Sequence, residues 1–169
     1  MATSLTVALV QMASAPEVET NLEAIRKTLE SLEGRCDLAV FPEYCLCVAG
    51  HETIRNNAKR LSDIDNILSE VVRPFNMHCI FGGIPIRENG SFRDAMLVFD
   101  DDGKLLVRYD KMHLFSYPGN PRVLDEGSLF KPGNMPSHAT IQDWKVGLSI
   151  CYDLRFPELY RSYVPADLL

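Results

Sequence analysis

The stretch Gly147-Leu-Ser-Ile-Cys-Tyr-Asp-Leu-Arg-Phe-Pro-Glu158 ends an apolar run on a cysteine and then reaches a proline of the kind that opens helices. A strand-to-helix turn puts the Cys151 sulfur near unpaired backbone N–H groups and a positive helix end, which stabilise a thiolate. The same N–H groups can hold an oxyanion. Unpaired cysteine is also among the most buried residue types, so Cys151 by itself reads more simply as a core thiol.

A cysteine nucleophile needs a proton acceptor within hydrogen-bond reach, a histidine or a carboxylate. Glu43 follows Phe41-Pro42 at the end of a buried-looking run, where a carboxylate can be partly withdrawn from water and act as a base. His51 and His78 lie in or beside segments that should pack, His138 lies in a loop, and His113 is two residues from Lys111. A cysteine–histidine pair therefore stays open, with no local pattern behind it. Lys111, in Tyr109-Asp-Lys-Met-His-Leu-Phe115, could act as a fixed cation on developing negative charge, although most lysines are surface charges.

Other residues have plainer readings. Cys45 and Cys47 with His51 look metal-like, but one such pair lacks the second ligand pair of a zinc site, and no metal is expected. Gly82-Gly83 permits a close backbone approach and is no phosphate loop, because no helix-opening glycine pattern follows it. Arg155 and Glu158 read as a structural pair near a helix start, and Tyr152, Phe156 and Tyr160 as core or interface aromatics.

These residues hang on strand and helix signals. Residues 5–12 are apolar and β-branched and predict a buried first strand. From Asn21, Leu22, Ile25, Leu29 and Leu32 recur at helical spacing, Thr20 and Glu23 have capping-box spacing, and Gly34 supplies a stop. Residues 36–41 predict a second strand that Pro42 closes, 54–72 a second helix, and 78–83 a third strand. Runs at 95–99 and 104–109 flank Asp100-Asp-Asp-Gly103, a hairpin signal, with Lys111 just past the second run. Residues 116–142 lack periodicity and read as a site-lining loop, and 144–150 predict a strand before a helix at Pro157. Strand, helix and Ala166-Asp-Leu-Leu169 echo the earlier strand, helix and Cys36-Asp-Leu-Ala-Val40. Repeated units of this kind imply α/β layers, the second unit being cut inside its returning strand.

Composition narrows the function classes. A chain of 169 residues that is 46% hydrophobic can bury a sizeable core and holds no apolar run long enough to span a bilayer. The 17 basic and 23 acidic side chains give a net charge of -6 without a basic stripe, which argues against nucleic acid as a partner. The N-terminal run lacks the marks of a signal or transit peptide, so a cytoplasmic protein is expected, with its five cysteines as reduced thiols.

Taken together and in this order, Phe41-Pro-Glu43, the Tyr109 to Phe115 run and the Gly147 to Tyr160 run resemble the nitrilase superfamily of carbon-nitrogen hydrolases. Within it, Lys111-Met-His-Leu-Phe115, Pro118-Gly119 and Cys151-Tyr-Asp-Leu-Arg-Phe-Pro-Glu158 are most similar to the ω-amidase group, which acts on monoamides of short dicarboxylic acids. The resemblance implies an α/β fold, a nitrilase-type α-β-β-α four-layer sandwich. It implies Cys151 as nucleophile, Glu43 as general base and Lys111 as the cation on the tetrahedral intermediate, with the Tyr152 N–H also on the oxyanion. Glu126, in Leu124-Asp-Glu-Gly-Ser-Leu-Phe-Lys-Pro-Gly133, corresponds to the family's second glutamate and positions substrate or Lys111. The implied partner is a small-molecule amide, without a cofactor. Asp94 stands where many members have asparagine, a departure read here as touching loop structure more than chemistry.

Family members continue past Ala166-Asp-Leu-Leu169, so residues 1–169 are expected to form one carbon-nitrogen hydrolase domain incomplete at its C-terminus. Its full-length form is expected to be a homodimer or larger oligomer. Without further strands an apolar sheet face should stay uncovered. Two functions follow as expectations: an amidase, or an inactive fragment that pairs with a full-length subunit.

Overall fold

Alternation along the strands splits the apolar residues between two cores. In the computed structural model, which describes residues 4–117 and 125–169, the first strand β1 (Val7–Leu9) pairs in parallel with β2 (Leu38–Phe41), and β2 with β3 (His78–Glu88). β4 (Ser91–Phe99) and β5 (Leu105–Asp110) then continue the sheet antiparallel, giving the order β1-β2-β3-β4-β5. Ala39, Phe41, Cys79, Phe81, Leu97 and Phe99 face one core; Leu38, Ile80, Val98 and Tyr109 face the other.

The first core is covered by α1 (Val18–Leu32) and α3 (Leu61–Val72), whose Leu22, Ile25, Leu29, Ile64 and Leu68 are buried. Each such side chain contributes about 2 kcal/mol of transfer free energy. α1 starts earlier than the spacing predicts: Glu17 is the N-cap and makes no side-chain cap bond, so Thr20 and Glu23 form no capping box. The chain is steered into the helix by buried Asn21, which bonds both the N–H and the carbonyl of Ala15 and the carbonyl of Leu46. Gly34, at φ +67, ends it as expected.

The helix predicted over 54–72 is two helices, α2 (His51–Asn57) and α3. Between them Lys59 leaves helical geometry to bridge Ile86, accepting the Arg87 N–H at 2.8 Å. β3 runs past the end of β2, and Lys59 satisfies backbone groups that would otherwise be left open there.

The second core lies between this sheet and a hairpin, β6 (His138–Ile141) with β7 (Trp144–Gly147). β6 falls inside the segment read as loop, where Ala139 and Ile141 alternate with His138 and Thr140 over only four residues. Val146 faces the first sheet, while Gly147 on the opposite face is covered by Tyr163, after α4 (Pro157–Ser162), whose hydroxyl bonds the Leu148 carbonyl. The layers therefore run helix, sheet, sheet, helix. Leu168 returns to bridge Val146 in parallel, and an apolar groove of about 450 Å³ lies open between the sheets, lined by Leu9, Val40, Met96 and Leu168 among others. Among the described residues, no helix is long and apolar enough to cross a membrane.

Candidate active site

β1, β2, β3 and β5 point the same way, so the segments leaving β2 and β5 emerge at one edge of the sheet. Glu43 leaves the first and Lys111 the second, and they meet with Lys111 Nζ 2.7 Å from Glu43 Oε1. Carboxyl ends of strands are where open α/β sheets place their ligands.

Gly82 and Gly83 make the room for Glu43. The β3–β4 register shifts between Phe81 and Ile84, Gly83 adopts φ +57, and a Cβ there would fall inside the Glu43 side chain, 2.9 Å from its Cα. The expected close backbone approach is thus an approach to Glu43, and the Tyr44 N–H closes it by donating to the Gly83 carbonyl at 3.1 Å.

Glu126 reaches the same ammonium at 2.8 Å through Oε1 and holds the Phe115 N–H at 2.7 Å through Oε2. Its backbone N–H donates to the Phe115 carbonyl at 2.9 Å, so the carboxylate is fixed at both ends. Glu126 is thus an ion-pair partner of Lys111, one of the two groups it was expected to face. Gly133 locks the far side of this segment, donating to the Lys111 carbonyl at 2.8 Å. Pro118-Gly119 and Leu124 lie outside the described residues.

Lys111 is fully buried, and Glu43 keeps about a fifth of its side chain in solvent. Burial pulls the Lys111 ammonium toward neutrality, but Asp94, Glu126 and Glu43 together outweigh it and hold the group above its ordinary range. Glu43, Asp94 and Glu126 offer oxygens within 4.8 Å of one another, a set that could hold a metal, and the ammonium occupies the middle of it.

Cys151 opens a five-residue 3-10 turn, Cys151–Arg155, with its own φ at +45. A left-handed non-glycine residue costs on the order of 1–3 kcal/mol, and Tyr44, beside Glu43, adopts φ +57. The residue is exposed, but its sulfur lies against the cluster: partial desolvation, then the Glu43 charge and its side-chain hydrogen bond, push the thiol up against the pull of Lys111. This corrects the sequence expectation of a thiolate at a helix end. One short 3-10 turn has little dipole to offer, so the resting group is a thiol.

The carbon-nitrogen hydrolase profile matches residues 6–167. The chain belongs to the carbon-nitrogen hydrolase family. Among its relatives are a deaminated glutathione amidase of Yersinia enterocolitica, 30% identical over 92% of this chain and 57% of that protein, and omega-amidase NIT2-B of Xenopus laevis, 32% identical over 92% and 57%. The solved structure of Saccharomyces cerevisiae Nit3, a nitrilase-superfamily member, is 26% identical with a TM-score of 0.76, covering 94% of this chain and 59% of its own. The chain spans about half the length of the curated relatives it matches.

Two features of this carbon-nitrogen hydrolase chain escaped sequence reasoning. Asp153 is fully buried and accepts four hydrogen bonds: from the Tyr109 hydroxyl at 2.7 Å, the Ile150 N–H at 2.9 Å, the His113 N–H at 2.9 Å and the His113 ring at 2.7 Å. His113 also stacks on Phe156, with ring centroids 3.7 Å apart, so the histidine next to the site is bound to Asp153 and not to Cys151. Asp94 is the second. It is buried beside Lys111, with Oδ2 3.7 Å from Nζ, inside the cluster and not in a peripheral loop.

Cys45 and Cys47 are both buried, the first with its thiol toward the Gly82 carbonyl at 3.7 Å and pushed up to about 12 by burial, the second on the Pro16 carbonyl at 3.2 Å. His51 faces Ser128 at 3.4 Å.

Proposed function

We propose that this chain carries the catalytic centre of an amidase that hydrolyses a small-molecule amide through a Cys151 thioester. The observation that carries the reading is the Lys111 ammonium gripped by Glu43 and Glu126, beside a Cys151 thiol that partial burial and the Glu43 charge push up. Glu43 takes the thiol proton, and the sulfur attacks the amide carbonyl to give a tetrahedral oxyanion. Lys111 offers the N–H left over from its two carboxylate bonds, and Tyr152 its backbone N–H, which early in a 3-10 turn has no intrahelical acceptor. Protonated Glu43 returns its proton to the leaving nitrogen, ammonia departs, and the acyl group remains on sulfur. Water, deprotonated by Glu43, then attacks the thioester, and the carboxylic acid leaves as the thiol reforms.

The substrate proposed is a monoamide of a short dicarboxylic acid, a reading supported by the likeness to omega-amidases. The test is ammonia release by the purified chain from such a monoamide, with Cys151→Ala as control. Turnover in the chain and none in the control is expected. Equal rates would overturn the amidase reading and favour a non-catalytic partner of a longer subunit.

A further inference from the structure

Asp94 and Lys111 are cross-strand neighbours. The register that pairs Ala95 with Asp110 brings them side by side, and the Lys111 N–H donates to the Asp94 carbonyl at 2.8 Å. The Asp94 residue is 1% exposed, and neither of its carboxylate oxygens has a hydrogen-bond partner among the described residues. At 3.7 Å from Nζ, Oδ2 is beyond hydrogen-bonding distance, while Glu43 and Glu126 hold the ammonium at 2.7 and 2.8 Å.

Charge counting then constrains Asp94. One ammonium already faces two bonded carboxylates, and a third buried anion would leave the cluster with two uncompensated charges. Among the described residues Asp94 has no ion pair besides that with Lys111. Tyr44 contributes a buried hydroxyl that itself has no partner among the described residues, and Cys45 a buried thiol. On its own strand Arg93 turns away to Asp110 and the Pro132 carbonyl. Among the described residues Glu43 and Glu126 repel it, and Lys111 attracts it.

We propose that Asp94 is a positioning residue of this site, held as the neutral acid, so that Lys111 keeps its third N–H free for the oxyanion until Asp94 ionises and claims it. Burial first, and the Glu43 charge second, push the Asp94 carboxyl well above the usual carboxylate range. Glu43 and Glu126, bonded to Nζ at 2.7 and 2.8 Å, keep Lys111 charged while Asp94 titrates. The direction follows: raising the pH takes the proton from Asp94, adds an anion beside Lys111 and Glu43, and turns the site off. The oxyanion part rests on the amidase reading; the state of the acid does not.

The experiment pairs two readouts on the whole chain. Infrared spectra with carboxyl-13C aspartate should show an isotope-shifted carboxylic-acid carbonyl band at neutral pH, absent in Asp94→Asn and lost as the pH rises. In Glu43→Gln, which keeps Asp94 and removes its nearest repelling charge, that loss should come at lower pH; this variant decides the matter if Asp94→Asn does not fold. Ammonia release should show an alkaline limb falling about tenfold per pH unit, as one ionisation dictates, displaced upward in Asp94→Asn. No aspartic acid band at neutral pH overturns the proposal, and so does an alkaline limb that Asp94→Asn leaves in place. If no protein turns over the amide, the amidase reading and the oxyanion role fail, while the infrared band still decides the proton.

Discussion

The Asp153 carboxylate accepts the Tyr109 hydroxyl at 2.7 Å, and this bond ties the turn that carries Cys151 to the strand that delivers Lys111. Two residues after the sulfur and two before the ammonium, the pair fixes the distance between the Cys151 sulfur and the Lys111 ammonium from one layer of the fold to the next. Tyr109→Phe removes the donor, leaves Oδ2 with only the Ile150 N–H, and strips the Met112 N–H of its acceptor. Denaturant unfolding should show a loss of about 1–2 kcal/mol. Amide hydrolysis should lose kcat more than it raises KM, because a shifted sulfur harms the transition state more than binding.

Lys111 is the only cation bonded to Glu43 and Glu126 among the described residues, so Lys111→Met leaves both carboxylates without compensation. Breaking a buried ion cluster from one side costs about 3–5 kcal/mol, and this chain should lose that much at neutral pH. Adding Glu126→Gln should recover part of the stability and none of the activity. Equilibrium unfolding of the single and double variants measures both.

Asp94 also has a consequence for stability. Its folded-state pKa is raised above the unfolded value of about 3.9, so its contribution is fully present below that pH and is lost as the pH rises toward the folded-state value. Asp94→Asn has no proton to lose. The variant should therefore unfold at a higher temperature than the parent at neutral pH, and the gap should close as the pH falls toward 4. A gap that widens on acidification would show Asp94 ionised and paired in the folded protein.

Much of this arrangement was legible in the sequence because it is local. Strand ends at Pro42 and after Tyr109, the Asp-Gly hairpin and the turn at Cys151 are each set by residues a few positions apart. What could not be read is set by pairing across the chain. Lys59 breaks a continuous helical pattern because β3 needs an acceptor at Arg87, and β6 is too short to announce itself apart from β7. Asp94 looked peripheral because only the β4–β5 register places it against Lys111. Asp153 sat inside the most informative motif, yet its partners Tyr109 and His113 come from the other sheet's end.

His113 tests the choice of base. Its ring nitrogen is 2.7 Å from Asp153 Oδ1 and its face is stacked on Phe156. His113→Ala should lower thermal stability through the lost stack and hydrogen bond, and should slow ammonia release far less than Glu43→Gln. The Cys151 thiol, pushed up by partial burial and by Glu43, should react slowly with iodoacetamide at neutral pH. Peptide mapping after timed alkylation follows that residue separately from the other cysteines. A larger loss of turnover in His113→Ala than in Glu43→Gln would make the histidine the base.

Gly83 has no polar atom beyond its backbone, yet its replacement should be among the most damaging at the site. At φ +57 an added Cβ is strained wherever it points, and here it points into Glu43, 2.9 Å from the Cα and 2.9 Å from the Tyr44 nitrogen. Those are backbone atoms, so the contact cannot be relieved by a rotamer change. Gly83→Ala must open the bulge between Phe81 and Ile84 or move residues 43 and 44. Moving Glu43 breaks its 2.7 Å bond to Lys111 and withdraws the proposed base from Cys151. Left-handed strain of about 1–2 kcal/mol should appear in unfolding, while ammonia release should fall by about a hundredfold, the loss expected of a misplaced catalytic group. Gly34→Ala supplies the control: it has φ +67 and nothing within 4 Å of its added Cβ, so it should show a similar stability loss without the loss of turnover. Equal effects of the two substitutions on kcat would mean that Gly83 serves the fold and not the placement of Glu43.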